Sequence, residues 1–174
     1  MEIHRFEKVW LAASFLLIVG FIATIVYGTL GAGVTMVDDS GGTVDPTNPT
    51  ASENFREPGV YQDGDGGYDV YVIARQFAFA PGTGSPIRVP ADTKVTFYVT
   101  SADVTHGFNV VGTNINTMVI PGQVAELTVE FDEPGTYHIA CNEYCGAGHH
   151  AMEGTIQVVP RDQYSAQSAE VTDS

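Results

Sequence analysis

Residues 124–159 read VAELTVEFDEPGTYHIACNEYCGAGHHAMEGTIQVV. Three short runs, 124–131, 136–140 and 155–159, are rich in Val, Ile, Thr, Tyr and Phe, side chains that fit a pleated, half-buried surface. Apolar and polar residues alternate along them with the period of two that a strand requires. Glu133-Pro134-Gly135 separates the first two runs as a turn. Between the second and third lies residues 141–152, a stretch that breaks the alternation. It holds both cysteines, two of the five histidines and one of the four methionines.

The same β-like texture begins upstream, at 68–74 (YDVYVIA), 94–100 (KVTFYVT) and 107–111. Pro81-Gly82, Pro90-Ala91-Asp92 and Pro121-Gly122 punctuate these runs as turns. No useful helical period appears after Leu30. Many short strands with Gly/Pro turns predict an all-β sandwich or barrel over residues 68–160. Residues 34–67 are rich in Gly, Pro, Thr, Ser, Asn and Asp, which predicts a flexible polar linker. Within it, Asp63-Gly64-Asp65-Gly66 superficially resembles a calcium loop but lacks the later Glu, so it reads as a turn. Residues 161–174 read as a polar tail.

Residues 1–33 form an N-terminal segment of a different kind. From Val9 to Leu30 there is no charge over 22 residues. As a helix this stretch covers about 33 Å, enough for a hydrocarbon core of about 30 Å. Trp10 and Tyr27 sit near its ends, where interfacial aromatics belong. A cleaved signal peptide is the competing reading, but its apolar core spans only ~7–15 residues. Arg5 and Lys8 precede the apolar stretch and the acid-rich remainder follows it. The positive-inside rule therefore predicts a single-pass protein of the plasma membrane, its N-terminus cytoplasmic and its β domain on the outer face of the lipid bilayer. The formal net charge is -14, from 21 acids against 7 Lys and Arg. Such a surface excludes nucleic-acid binding, which needs a basic patch. It suits either a basic docking partner or a solvated surface in high salt.

Thiolate, imidazole and thioether are soft or borderline ligands that suit copper or zinc rather than magnesium or calcium. In residues 141–152 they are spaced C-x3-C-x3-H-x2-M, as Cys141, Cys145, His149 and Met152. A disulfide is the competing reading of the cysteine pair in an oxidising compartment; the His and Met at these offsets weigh against it. One loop rarely encloses a metal, and His106, at the turn after 94–100, is the candidate ligand from elsewhere. His138 reads as structural, His150 is out of phase with the motif and would replace His149 if the phase were shifted, and His4 is unrelated. A blue-copper centre uses one Cys, so two thiolates open the possibility of a pair of bridged metals. Two Cu(I) ions and two thiolates sum to zero charge. Removing one electron leaves a single positive charge spread over both metals, so little reorganisation accompanies electron transfer.

At these residues the chain resembles subunit II of the haem–copper terminal oxidases, the cytochrome c oxidase family with its binuclear CuA copper centre. The segment Asp103-Val104-Thr105-His106-Gly107-Phe108 is similar to the family's upstream histidine segment. Gly112-Thr113-Asn114-Ile115-Asn116 and Pro134-Gly135-Thr136-Tyr137 resemble further family segments. One N-terminal helix and a step of 35 residues from His106 to Cys141 are similar to the ba3-type branch. The resemblance implies a cupredoxin-like Greek-key fold. It implies that Cys141 and Cys145 bridge two coppers, that His106 and Met152 complete one, and that His149 and the backbone carbonyl of Glu143 complete the other. It implies single electrons taken from a soluble or membrane-attached donor, a cytochrome c or a blue-copper protein, and passed to haem in subunit I, where oxygen is reduced to water with proton translocation. The larger branch has a tryptophan-rich stretch near the point of electron entrance. The corresponding region here is Arg75-Gln76-Phe77-Ala78-Phe79-Ala80, without Trp; Phe77 and Phe79 read first as core and second as a substitute patch. Other readings are a CuA subunit of a nitric oxide reductase-like complex, a membrane-anchored copper-binding or delivery protein, and a disulfide-stapled binding module.

Overall fold

The computed structural model describes residues 4–30, 36–38 and 41–164. The chain divides into two compact units, Met1–Val34 and Thr35–Ser174.

The first unit is one helix, α1 (Arg5–Leu30), with no residue buried by the protein. It is apolar on every side, as a membrane-crossing helix is. Its hydroxyls bond inward, Thr24 Oγ1 donating to the Gly20 carbonyl at 2.9 Å and Thr29 Oγ1 to that of Val26 at 3.0 Å. These two hydroxyls therefore need no water inside the apolar stretch. The helix begins a turn before the apolar stretch predicted from Val9. Glu7 accepts the His4 N–H at 2.9 Å, and this bond satisfies one donor at the helix start.

The second unit is a two-sheet β-sandwich. Its strands are β1 (Met36–Asp38), β2 (Gly59–Gln62), β3 (Tyr68–Arg75), β4 (Ala78–Ala80), β5 (Ile87–Pro90), β6 (Lys94–Ser101), β7 (His106–Val110), β8 (Asn116–Val119), β9 (Ala125–Glu130), β10 (Gly135–Ala140) and β11 (Glu153–Val159). One sheet runs β1-β9-β6-β3-β2 with β4 also on β3; the other runs β5-β11-β10-β7-β8. The β3–β6 and β5–β11 pairs are parallel and the rest antiparallel, the cross-connected arrangement of a Greek-key cupredoxin fold. The core lies between the sheets: Val70, Val72, Phe97, Val99 and Leu127 from one, Phe108, Val110, Ile139, Ile156 and Val158 from the other. Phe79 also lies in this core, its ring edge-on to Phe108 with centroids 5.7 Å apart, as its first reading anticipated.

The expected loose linker over 34–67 is corrected in its described part. β1 pairs with β9. Thr43 bridges Gln123, and Val44 N–H donates to the Gly122 carbonyl at 3.1 Å. Val44 and Phe55 join Tyr71, Ile73 and Val124 in a second core on the outer face of the first sheet. This explains the continuous apolar run of β3: Val70, Val72 and Ala74 face one core while Tyr71 and Ile73 face the other. The low hydrophobicity of 34–67 hides a few anchoring side chains between turn formers. Asp63 does form the expected turn, Oδ1 accepting the N–H groups of Asp65 at 2.9 Å and Gly67 at 2.6 Å. At the C-terminal end, Tyr164 packs edge-on against Tyr68 at 4.9 Å, so the expected tail starts as packed chain; residues 165–174 lie outside the described residues.

Candidate metal centre

At one end of the sandwich, the loop joining β10 to β11 meets the start of β7. Cys141 follows the last residue of β10 and Met152 precedes the first of β11, and Cys141 N–H donates to the Met152 carbonyl at 3.2 Å. The loop is therefore closed at its root by the β10–β11 ladder. Inside it, Gly146 takes a positive φ, and a short helical turn over His149–Ala151 brings the downstream side chains back toward the cysteines.

The sulfurs of Cys141 and Cys145 are 3.7 Å apart, and both cysteines are free. A disulfide needs about 2.05 Å. Two sulfurs at this separation can both reach one metal at the roughly 2.3 Å of a metal–thiolate bond. Around them stand His106 Nδ1, 3.9 Å from Cys141 Sγ; His149 Nδ1, 3.6 Å from Cys145 Sγ; and Met152 Sδ, 3.7 Å from Cys145 Sγ. The Glu143 carbonyl oxygen lies 3.1 Å from Cys141 Sγ, while Glu143 as a residue is exposed. All six predicted site residues thus converge. His106, Cys141, Cys145 and Met152 are buried, His149 is half-buried, and His150 is exposed to solvent. His138 is exposed on β10 rather than packed in the core, because its strand position faces outward.

Burial pushes the Cys145 thiol up to about 11, and the neighbouring Cys141 adds to this. A bound cation reverses that preference, since a coordinating thiol is deprotonated outright. The donor set therefore fits a soft, thiophilic metal. Its two sulfurs are each flanked by further donors, an arrangement that serves two coppers better than one.

Four further residues hold these side chains, and the motif alone did not reveal them. Asp103 Oδ1 accepts from His106 Nε2 at 2.8 Å and from Val104 N–H at 2.6 Å; Oδ2 accepts from Gln76 N–H at 2.7 Å. Burial opposes the charged carboxylate, but the bonds from His106, Gln76 and Val104 outweigh it and hold the carboxyl below its ordinary value. With Nε2–H committed to Asp103, Nδ1 is left as the lone-pair nitrogen toward the sulfurs. Gln76 Nε2 also donates to the Cys145 carbonyl. Asn142 Nδ2 donates to Asn116 Oδ1 at 3.1 Å, tying the loop to edge strand β8. Asn142 lies so close to β7 that a Cβ at Gly107 would collide with its side-chain oxygen and backbone nitrogen, so only glycine fits there. Asp103 sits three residues before His106, a local signal; Gln76 is 69 residues from Cys145 and carries none.

Phe77, unlike Phe79, belongs to this end. A Cβ at Gly148 would stand 2.5 Å from its ring, which lies across the ligand loop. Phe77, Val104 and Tyr144 leave 36%, 38% and 76% of their surfaces exposed, an apolar rim at the copper end of an acidic domain.

Comparison with known proteins agrees with this geometry. A family model described as the periplasmic domain of cytochrome c oxidase subunit II matches residues 70–159. A cytochrome c oxidase subunit 2 of Thermus thermophilus is 44% identical over 160 residues, 90% of this chain and 93% of that one. A second Thermus thermophilus subunit 2 is 46% identical over 117 residues, 66% of this chain and 84% of the relative. A cryo-EM structure of a haem–copper terminal oxidase dimer contains a chain that superposes with a TM-score of 0.69 at 36% identity, over 89% of this chain and 100% of that one.

Proposed function

The chain belongs to the cytochrome c oxidase subunit II family, and from that premise we propose the part each of its residues takes in a haem–copper terminal oxidase. It is the subunit at which electrons enter that oxidoreductase complex, a membrane-anchored protein with its copper domain on the outer face. When bound, the CuA centre of this family supplies one-electron transfer between an outside donor and the haem of the large subunit. Cys141 and Cys145 would hold it together through their thiolates, with His106 and Met152 serving one copper and His149 and the Glu143 carbonyl the other. The observation that carries this assignment is the sulfur pair at 3.7 Å with nitrogen, thioether and carbonyl donors arrayed around it.

The buried residues exclude water, and the loop root on β10 and β11 makes the cage rigid, so the ligands stay in place between oxidation states. Burial also argues against copper delivery: Cys141 and Cys145 expose only 7% and 4% of their surfaces, too little to hand a metal to a partner. The relatives described above are oxidase subunits, which favours the oxidase over a nitric oxide reductase-like complex. The donor, a small cytochrome c or blue-copper protein, meets the apolar rim of Phe77, Val104 and Tyr144, where the half-buried His149 ring lies 5.8 Å from that of Tyr144. Arg5 and Lys8, in the first turn of α1 and ahead of its apolar stretch, favour a cytoplasmic N-terminus.

Copper content tests the ligand set. The chain with copper restored binds two coppers, His149→Ala disturbs its optical spectrum, and His150→Ala leaves it unchanged. The reverse pattern for the two histidines moves the ligand by one position. One copper per chain rejects the binuclear assignment.

A further inference from the structure

We infer that Gln76 is a positioning residue of the copper site and sets its reduction potential, an inference that rests on the copper reading above. Gln76 lies in the corner between β3 and β4, far from the metal motif in sequence, yet it reaches both halves of the site. Its side-chain amide Nε2–H donates to the carbonyl of Cys145. Its backbone N–H donates at 2.7 Å to Asp103 Oδ2, and Asp103 Oδ1 holds His106 at 2.8 Å. One residue thus fixes a bridging cysteine directly and a histidine through a carboxylate.

The loop is shaped around this contact. Gly146 has φ +131, and a Cβ there would stand 2.8 Å from Gln76 Nε2 and 3.3 Å from the Phe77 ring. A side chain at position 146 would both strain the backbone and evict the amide. The Cys145 carbonyl turns toward the β3–β4 corner, where the amide receives it. A buried carbonyl left without that donor would draw the loop toward another partner.

The sign of the effect on potential follows from the dipole. The N–H places its positive end against the peptide of a ligand residue. Reduction removes one positive charge from the site, so a positive end aimed at it favours the reduced form. Losing the amide shifts the one-electron equilibrium toward the oxidised form. Only part of the strength of a neutral hydrogen bond differs between oxidation states, so the shift is modest.

The side-chain contact is separable from the backbone one, because substitution at Gln76 leaves its N–H to Asp103 in place. Gln76→Met keeps the length and packing and removes the donor. Gln76→Glu keeps the shape and sets oxygen against the Cys145 carbonyl. In the full chain in detergent, loaded with copper, Gln76→Met is expected to shift the one-electron equilibrium roughly two- to tenfold toward oxidation, where tenfold corresponds to about 59 mV. Gln76→Glu shifts it further in the same direction, and both alter the copper hyperfine pattern while retaining the metal. A residue that merely stabilises the fold lowers the melting temperature without moving the potential. One-electron equilibria of both variants within twofold of the parent's, with unchanged hyperfine patterns, overturn the inference while the parent's two-copper spectrum still upholds the site. A parent chain without that spectrum overturns the site and the inference together. Should Gln76→Met fail to fold, Gln76→Glu alone decides, through the same potential.

Discussion

Replacing Asp103 by Asn tests the carboxylate behind His106. The carboxylate serves three N–H donors with two oxygens: His106 and Val104 on Oδ1 at 2.8 and 2.6 Å, Gln76 on Oδ2 at 2.7 Å. Asparagine has one oxygen and one NH2. Whichever way it turns, its NH2 faces an N–H, so at least one bond is lost and donors oppose each other. The better orientation keeps His106 and Val104 and abandons Gln76. A bond to a charged acceptor is worth about 1.5–3 kcal/mol. The Asp103 side chain is 30% exposed, and water can relieve part of the loss, so a destabilisation of about 1–2 kcal/mol is expected. Residues that orient a metal ligand cost about 10–100-fold in affinity when changed. The assay is competitive copper titration of the full chain, with thermal unfolding of the metal-free chain measured in parallel. The expected result is weaker copper binding in that range with a spectrum altered at the histidine. Parental affinity and an unchanged spectrum in Asp103→Asn would refute the claim that the carboxylate orients His106.

Two further predictions concern the fold around the site. Phe55 is 2% exposed and meets Tyr71 edge-on at 5.3 Å, so Phe55→Ala is expected to destabilise the chain by roughly 3 kcal/mol in denaturant unfolding; a change below about 0.5 kcal/mol would return 41–62 to the status of a loose tether. Asp69 is pushed above its ordinary value first by burial and then by the charges of Asp63 and Glu126, against the opposing Lys94 and Arg56. The folded chain therefore holds that proton more tightly than the unfolded one, and stability falls as pH rises through the window just above the unfolded value of 3.8. Asp69→Asn is accordingly expected to stabilise the reduced, metal-free chain at pH 7 by less than about 1 kcal/mol, since the half-buried group is partly screened by water, and so to raise its melting temperature, a gain lost near pH ~3. A lower melting temperature at pH 7 would contradict it.

The longer strands, buried on one face or on both, were legible in the sequence. The runs at 68–74, 94–100 and 155–159 each fall within one residue or two of β3, β6 and β11, because alternation or continuous apolarity marks a strand against a core. The strands that were missed are short and at sheet margins. β8 buries only Val119, β4 has three residues, and β2 lies in a polar segment whose partner is supplied by β3. Pairing decides such strands, and pairing is not written in their own side chains. The same division runs through the site. Cys141, Cys145, His149 and Met152 share one loop, and His106 lies at a strand start, so chemistry and spacing find them. Gln76, Asn116 and Asn142 are ordinary polar residues whose roles come from a corner and an edge strand that the fold brings against the loop. Phe55 was hidden among turn formers, since a single anchor does not raise the hydrophobicity of its segment.

The central claim is that Cys141 and Cys145 hold two coppers as one electronic unit. Electron paramagnetic resonance of the copper-loaded chain tests it most directly. One unpaired electron shared over two equivalent coppers gives a seven-line hyperfine pattern, which Cys145→Ser abolishes. A four-line pattern from a single copper in the parent chain, or a seven-line pattern that survives in Cys145→Ser, would contradict it.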